Sequence, residues 1–379
     1  MIQKVSKKIK FLIAVIGSLL ITSVSAFGMY GVDGNDWINF LVHGNQLRAR
    51  MDQVGFVLGN GTLKGTLGFR ADGGWMGSIL TGNDSDVQLN ATLSAGIGYT
   101  SDMFGIGVGY NFTYIDKYLQ VHTPTLVFNA LNDNLRVAIP IQVAVTDNDH
   151  GFGTKFTGVG FNQVELRYYT GIDAFNYIRL DFNYKNGTWE DSLGGKSIYE
   201  VFGMQLRLYF LKTQIGNVTI NPYIRIDYHQ ALRGNALNTD YLTIGDMYNN
   251  QSAYAISENT AQSDIYDVSP FSVHIRPVLS LAANSDVVSL YFEPAIGYSV
   301  ASSKAKGQAQ VTTHALAWQA YAEMYVTPVK DLEWYFEMDV NGNVTGQTGA
   351  VANANLPPVL FETTTGITWY LPSLDGNAQ

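Results

Sequence analysis

Between residues 87 and 114 the chain alternates with a strict two-residue period. Val87, Leu89, Ala91, Leu93, Ala95, Ile97 and Tyr99 are apolar, whereas Gln88, Asn90, Thr92, Ser94, Gly96, Gly98 and Thr100 between them are polar or glycine. After Ser101-Asp102 the pattern resumes in the opposite phase, with Phe104, Ile106, Val108, Tyr110, Phe112 and Tyr114 set against Gly105, Gly107, Gly109, Asn111 and Thr113. Successive side chains of a strand project to opposite faces, so the two runs make a tight hairpin with one apolar face and one small, polar face. Each arm exceeds the ~5–6 residues common in globular strands and matches the ~9–11 that a tilted strand needs to cross a bilayer. Two folds use such hairpins: a soluble sandwich that turns the apolar faces inward, and a membrane barrel that turns them outward to lipid.

The unit recurs to the C-terminus. Leu135, Val137, Ile139, Ile141, Val143 and Val145 alternate in the same way, as do Phe202, Met204, Leu206, Leu208 and Phe210, and Leu316, Trp318, Ala320, Ala322, Met324 and Val326. Short connections are expected near 59–61, 101–102, 131–134, 171–175, 212–217, 284–286 and 327–331. Long ones are expected at 72–86, 147–158, 186–198, 230–270, 301–309 and 345–357, with a short exception at 115–117. Alternating short and long connections, long strands and aromatics near strand ends (Tyr99, Tyr114, Tyr168, Tyr184, Tyr228, Phe271, Tyr298, Trp369) favour the barrel.

The expectation is therefore all-β: a transmembrane antiparallel β-barrel with short periplasmic turns and long external loops. If residues 47–57 form one descending strand, an ascending strand must precede it. Residues 36–42 are the candidate, although they also read as a short helix or plug. The count is then about 16 strands, satisfying the even-number rule, with about 14 as the alternative. Pro140, Pro222, Pro277 and Pro294 fall inside the expected strands and remove ladder donors there.

Residues 1–26 read as a secretory leader. Lys4, Lys7, Lys8 and Lys10 precede an apolar run over 11–21 that is too short for the ~20-residue membrane helix, and Val24-Ser25-Ala26 supplies a small-residue cleavage site. Residues 27–371 then form a single barrel domain, with 27–46 a weak first strand or plug and 372–379 a C-terminal tail. No cysteine is present, which excludes a disulfide framework and a lipobox. The formal net charge of −9, made more negative by loss of the leader lysines, excludes a nucleic-acid partner, because phosphate binding needs clustered cations.

The run from His43 to Thr62 (HGNQLRARMDQVGFVLGNGT), with Phe27-Gly28-Met29-Tyr30-Gly31 before it and Gly366-Ile367-Thr368-Trp369-Tyr370-Leu371 near the end, resembles the variable surface proteins of Brachyspira (Serpulina) spirochaetes. The resemblance extends over essentially the whole chain. It implies an abundant, surface-exposed antigen of the cell outer membrane, encoded in several variant copies, with no catalytic residues. Partners expected on this basis are outer-membrane lipid, host antibodies or surface ligands, and further copies of the chain in a homo-oligomer.

The charges on the polar face are unevenly placed. One set of strands carries Arg136, Arg167, Arg179, Arg207, Arg225 and Arg276 with Glu165, Asp181 and Asp227; later strands carry Glu293, Glu323, Glu333, Glu337, Asp339 and Glu362. In a barrel these would line facing arcs of the lumen and set up a transverse field that selects small polar solutes, the alternative function being a general or weakly selective porin. Solvated or register-fixing charges are the plainer explanation. Gly105-x-Gly107-x-Gly109 and Gly151-x-Gly153 lack the strand-to-helix setting of a phosphate loop, and packing or bulges account for them better. The histidines (His43, His122, His150, His229, His274, His314) show no metal-ligand spacing, and no nucleophile-elbow or metalloprotease motif occurs, so neither a metal, a cofactor nor an enzyme is expected. The segment 230–270 reads as an external loop, either folded into the lumen as a constriction or displayed to antibodies.

Overall fold

The computed structural model describes residues 38, 41, 46–50, 53–72, 90–149, 153–235, 237, 244–248, 251–343 and 359–370. The expected leader at 1–26 and tail at 372–379 lie outside the described residues, as do nearly all of 72–86 and all of 345–357. The wall begins with β1 (Gln46–Arg50), β2 (Gln53–Gly59), β3 (Leu63–Asp72), β4 (Asn90–Thr100), β5 (Phe104–Tyr114) and β6 (Gln120–Ala130). It continues with β7 (Leu135–Asp149), β8 (Thr154–Tyr169), β9 (Tyr177–Glu190) and β10 (Lys196–Tyr209). A small hairpin, β11 (Thr213–Ile215) and β12 (Val218–Ile220), precedes β13 (Tyr223–Arg233). The next connection holds α1 (Ile244–Tyr248), α2 (Gln251–Tyr254), β14 (Ile256–Ser257) and α3 (Gln262–Ile265). Then come β15 (Tyr266–Val278), β16 (Leu281–Asn284), β17 (Val288–Ala305), β18 (Val311–Val329), β19 (Leu332–Asn343) and β20 (Val359–Tyr370).

Antiparallel ladders join each wall strand to the next, β1 through β10 in order, then β13, β15, β17, β18, β19 and β20. β20 pairs with β1 through Arg48↔Tyr370, Ala49↔Trp369 and Arg50↔Thr368, so the run of ladders ends where it began. The wall is thus an antiparallel barrel of about 16 strands, an even number as spanning barrels require. β11, β12 and β16 extend it at the end where the connections are tight, and β14 pairs with β10 at the other.

Exposure is inverted relative to a soluble sheet. Ile97 is 73% exposed and Val108 56%, while Ser94, Asn111, Thr123 and Thr125 on the opposite face are 5% exposed or less. In water each such outward side chain would forfeit about 1.5–3 kcal/mol of burial, repeated around the wall. Only a hydrocarbon surround makes this pattern stable, which excludes the sandwich.

Of residues 36–42, only Ile38 and Leu41 are described, and neither lies in a wall strand. Ile38 is helical and Leu41 lies in a 3-10 turn, both fully buried inside the barrel. Nor are residues 47–57 one strand: β1 and β2 are arms of a hairpin with Arg50 opposite Gln53. The signal is a phase change, since Leu47, Ala49 and Met51 are odd-numbered and Val54, Phe56 and Leu58 even, as at Ser101-Asp102.

Three expected long loops are strand instead. Asp149 pairs with Thr154, Lys196 with Glu190, and Ser303 with Val311, so the connections expected over 147–158, 186–198 and 301–309 shrink to 150–153, 191–195 and 306–310. These ends are polar, and a strand read from apolar period alone stops where the apolar side chains stop. Of the prolines, Pro222 lies between β12 and β13 rather than inside a strand. The others are grouped. Pro124 lies in the gap where the β6–β7 ladder steps from His122↔Val143 to Thr125↔Pro140, and Pro140 lies in the gap of the next ladder between Ala138↔Glu165 and Ile141↔Phe161. Pro277 lies inside the gap between Ile275↔Tyr298 and Val278↔Ala295, and Pro294 just beyond it. Each of these prolines thus sits in or beside an interruption of a ladder, where a missing donor is tolerated.

Candidate functional site: the charged lumen wall

The six arginines stand in one row. Arg136 is opposite Arg167, Arg167 opposite Arg179, Arg179 opposite Arg207, Arg207 opposite Arg225 and Arg225 opposite Arg276, across β7, β8, β9, β10, β13 and β15. Like charges directly opposed destabilise a sheet, so the row needs compensation. A second row two residues along supplies it: Glu165, Asp181, Gln205, Asp227 and His274, again in register. Glu165 is ion-paired with two arginines, Arg167 Nε 2.5 Å from Oε1 and Arg179 Nε 2.7 Å from Oε2, and accepts a hydrogen bond from Arg167 Nη2 on Oε2 at 2.7 Å. Arg179 Nε also lies 3.2 Å from Asp181 Oδ2. Asp227 is 2.9 Å from Arg225 Nε and 3.8 Å from Arg276 Nη2. Arg136 pairs with Asp133 of the adjoining turn, and Arg207 Nε donates to Gln205 Oε1 at 2.5 Å.

A third row lies on the other side of the arginines. Tyr169, Tyr177, Tyr209 and Tyr223 are opposite one another, with consecutive ring centroids 4.6, 4.6 and 4.4 Å apart. The Arg136 and Arg207 guanidinium groups sit over Tyr169 and Tyr223 at 5.2 and 5.8 Å, within cation–π range. Four of the six strands therefore carry one inward triplet, acid or amide, arginine, tyrosine, reversed on alternate strands by antiparallel pairing: Glu165-x-Arg167-x-Tyr169, Tyr177-x-Arg179-x-Asp181, Gln205-x-Arg207-x-Tyr209 and Tyr223-x-Arg225-x-Asp227. The arginines are readable one by one in the sequence; the tyrosine row emerges only when the triplets are compared with alternate ones reversed.

The acidic set lies on β17, β18, β19 and β20. Glu323 is opposite Glu337, and Asp339 is opposite Tyr321 on one side and Glu362 on the other; the side chain of Glu362 is outside the described residues. Tyrosine hydroxyls serve these carboxylates: Tyr291 donates to Glu293, and Tyr321 to Glu323 at 2.5 Å. Glu333 is buried near the tight-turn end. The two sets were expected on facing arcs. In strand order they adjoin, basic β15 lying next to acidic β17, and a third arc, β1–β6, separates their far ends. Where they adjoin, a recess of about 330 Å³ opens between His274 and Arg276 on one side and Gln319 and Asp339 on the other.

Two segments enter the lumen. α1 packs Ile244, Met247 and Tyr248 on Phe156, Trp189, Tyr199 and Val201 of the inner wall, and Tyr248 Oη donates to Asp149 Oδ1 at 2.5 Å. Of the two alternatives for 230–270, this part takes the inward one. Ile38 and Leu41 pack with Val57 and Val127. They rest on Gly96, Gly98, Gly107 and Gly109: a Cβ at Gly109 would meet Ile38 at 2.5 Å, and one at Gly98 would meet Leu41 at 2.9 Å. Packing thus explains two of the glycines in the 105–109 repeat. No helix among the described residues is long and apolar enough to cross a membrane.

An antiparallel barrel that is apolar outside and ionic inside defines an outer-membrane β-barrel protein, held in that membrane by its strands. The chain belongs to the Serpulina hyodysenteriae variable surface protein family, whose model matches residues 8–370. Among solved structures it is similar to a bacterial polysaccharide outer membrane secretin (10% identity, TM-score 0.41, covering 88% of this chain and 94% of that one). It is also similar to outer-membrane expressed OmpT of Vibrio cholerae (10% identity, TM-score 0.33, covering 83% and 99%). A third likeness is to the FrpB iron transporter from Neisseria meningitidis (8% identity, TM-score 0.32, covering 90% and 83%). No curated protein matches the chain.

Proposed function

We propose that the protein is a variable surface antigen, with the barrel as its anchor and the end opposite the 101–103 and 131–134 turns facing outward. Strand length carries the reading. The β7–β8, β9–β10 and β17–β18 hairpins have arms of 14 to 19 residues, against the ~9–11 a bilayer needs. The excess lifts the turns at 191–195 and 306–310, and the end of the β7–β8 hairpin, clear of the membrane, where host antibodies or surface ligands reach them; Leu193 is 94% exposed. Protease added to intact cells should cut within those turns and in 256–264, and spare 101–103 and 131–134. Cutting at the latter pair would reverse the orientation and sink the reading. Homo-oligomers of the chain fit the same role and would show as cross-linked multimers on intact cells.

A second reading, a weakly selective porin for small hydrophilic solutes, draws on the ionic inner wall. Charged side chains on the inner face of a wet barrel polarise the path through it. Purified protein in planar bilayers should conduct, and a sealed barrel would count against the reading.

A further inference from the structure

The recess between the basic and acidic arcs has features that neither arc has alone. Its floor lacks side-chain bulk: Gly297 of β17 faces Ala317 of β18. Gly297 is required there, because a Cβ would lie 2.5 Å from His274 Nε2 and 3.3 Å from Arg276 Cγ. His274 Nε2 is buried with no hydrogen-bond partner among the described residues, a polar atom left over at the recess edge. The volume of about 330 Å³ lies within the ~300–1,000 Å³ typical of ligand pockets.

The side chain that bridges the recess defines what fits it. The carboxamide of Gln319 accepts from Arg276 Nη1 through Oε1 and donates through Nε2 to Asp339 Oδ2 at 2.7 Å. One small planar group thus offers an acceptor to a guanidinium and a donor to a carboxylate. An α-amino acid offers the same two functions with a full charge on each, so each contact becomes a hydrogen-bonded ion pair where the amide supplies only one charged partner in two. A simple anion gains Arg276 but meets Asp339; a simple cation meets the reverse. We propose that this recess is a binding station for small zwitterionic solutes, α-amino acids in particular, with the carboxylate on Arg276, the ammonium on Asp339 and the Gln319 amide displaced. The proposal deepens the porin reading, whose pore would deliver the solute, although binding itself requires no flux.

The test is calorimetry on the full folded barrel in detergent with L-alanine, propionate and ethylammonium as probes. Alanine should bind at least about tenfold tighter than either single-charge analogue, the equivalent of one added charge-assisted hydrogen bond. Asp339→Asn should weaken alanine by about tenfold and remove its advantage over propionate. Gln319→Ala removes the competing amide and should tighten alanine several-fold, an expected gain that misfolding cannot imitate. Alanine binding no tighter than propionate, or a Gln319→Ala barrel that binds alanine no better, would overturn the station. Planar-bilayer conductance separates the two readings: a sealed barrel that still binds alanine defeats the porin and leaves the station standing, and a conducting barrel without alanine preference does the opposite.

Discussion

The barrel has two walls that look alike from outside and differ within. From β2 to β6 the strands are 7 to 11 residues long and turn mainly glycine, serine, threonine and asparagine inward. From β7 to β18 the wall strands are 11 to 19 residues long and turn arginine, carboxylate and tyrosine inward. Small inner side chains leave space, and on the short-stranded wall a separate apolar segment, Ile38 and Leu41, occupies it. Large charged ones fill their own space, but only if a second row neutralises the first. Lipid fixes the outer face and sets a minimum strand length; it says nothing about the inner face or about strand beyond the bilayer. The two walls differ in the properties that the membrane does not constrain.

The largest expected effects test the shared exterior. Val108→Arg on the short-stranded wall and Ile141→Arg on the long-stranded one both place a cation on the outer face, where Val108 is 56% and Ile141 40% exposed. Each should cost about 2–4 kcal/mol near the bilayer midplane, measured by urea unfolding in lipid vesicles. A loss confined to one wall would mean that the exteriors are not equivalent. Next comes the neutralising row. Glu165→Gln removes the carboxylate that two arginines share and should cost about 1.5–3 kcal/mol, the range for hydrogen bonds to charged groups. Asn111→Ala on the other wall should cost less in the same unfolding assay, because no like-charge row depends on it; equal losses would erase the contrast between the interiors.

Much of this is legible in the chain itself. The two-residue period marks the outer face correctly at Ile97, Val108 and Leu206, because lipid demands one apolar side chain at every second position. It also places the six arginines on one face. Their direct opposition is not readable, since register depends on bulges such as the one at Gln163, which has φ of 56° and donates its backbone N–H to Asn183 Oδ1 at 2.8 Å. The polar strand ends at 147–149 and 303–305 read as loop because hydrophobic period is silent in water, where hydrogen-bond ladders persist. Residues 36–42 and 244–248 are too short to carry a period of their own. What places Ile38, Leu41 and Ile244 is the glycine opposite each, a long-range relation.

Those glycine seats sharpen the comparison further. Gly109→Val should strike Ile38, and Gly158→Ala should press on Ile244 Cγ2, where a Cβ would lie at 2.9 Å. Overpacking of this kind costs about 1–3 kcal/mol, relieved here by undocking a segment rather than by opening the wall. Limited proteolysis of the folded barrel should then release residues near 38 in the first variant and cut near 244–248 in the second. If either variant exposes both segments, the two walls are coupled and cannot be treated as separate interiors.

The smallest effect concerns the part of the long-stranded wall that leaves the bilayer. Asp267 lies at an irregularity in the β15–β17 ladder, with Lys304 Nζ 3.0 Å from its Oδ2 and Lys306 Nζ 3.9 Å from its Oδ1. The Lys304 hydrogen bond, and then the Lys304 charge, hold its carboxyl below the usual aspartate range. A folded-state pKa below the unfolded one gives a contribution that is complete above the unfolded value of about 3.9 and fades as pH falls through the folded one. Carboxyl-resolved NMR titration should therefore find the Asp267 midpoint below that value and see it rise toward it in Lys304→Ala, with global unfolding scarcely changed, because an exposed ion pair is screened by solvent. An unmoved midpoint would refute the pairing. A large loss of global stability would show that ion pairs hold the projecting hairpins, against the inference that their backbone ladders do so.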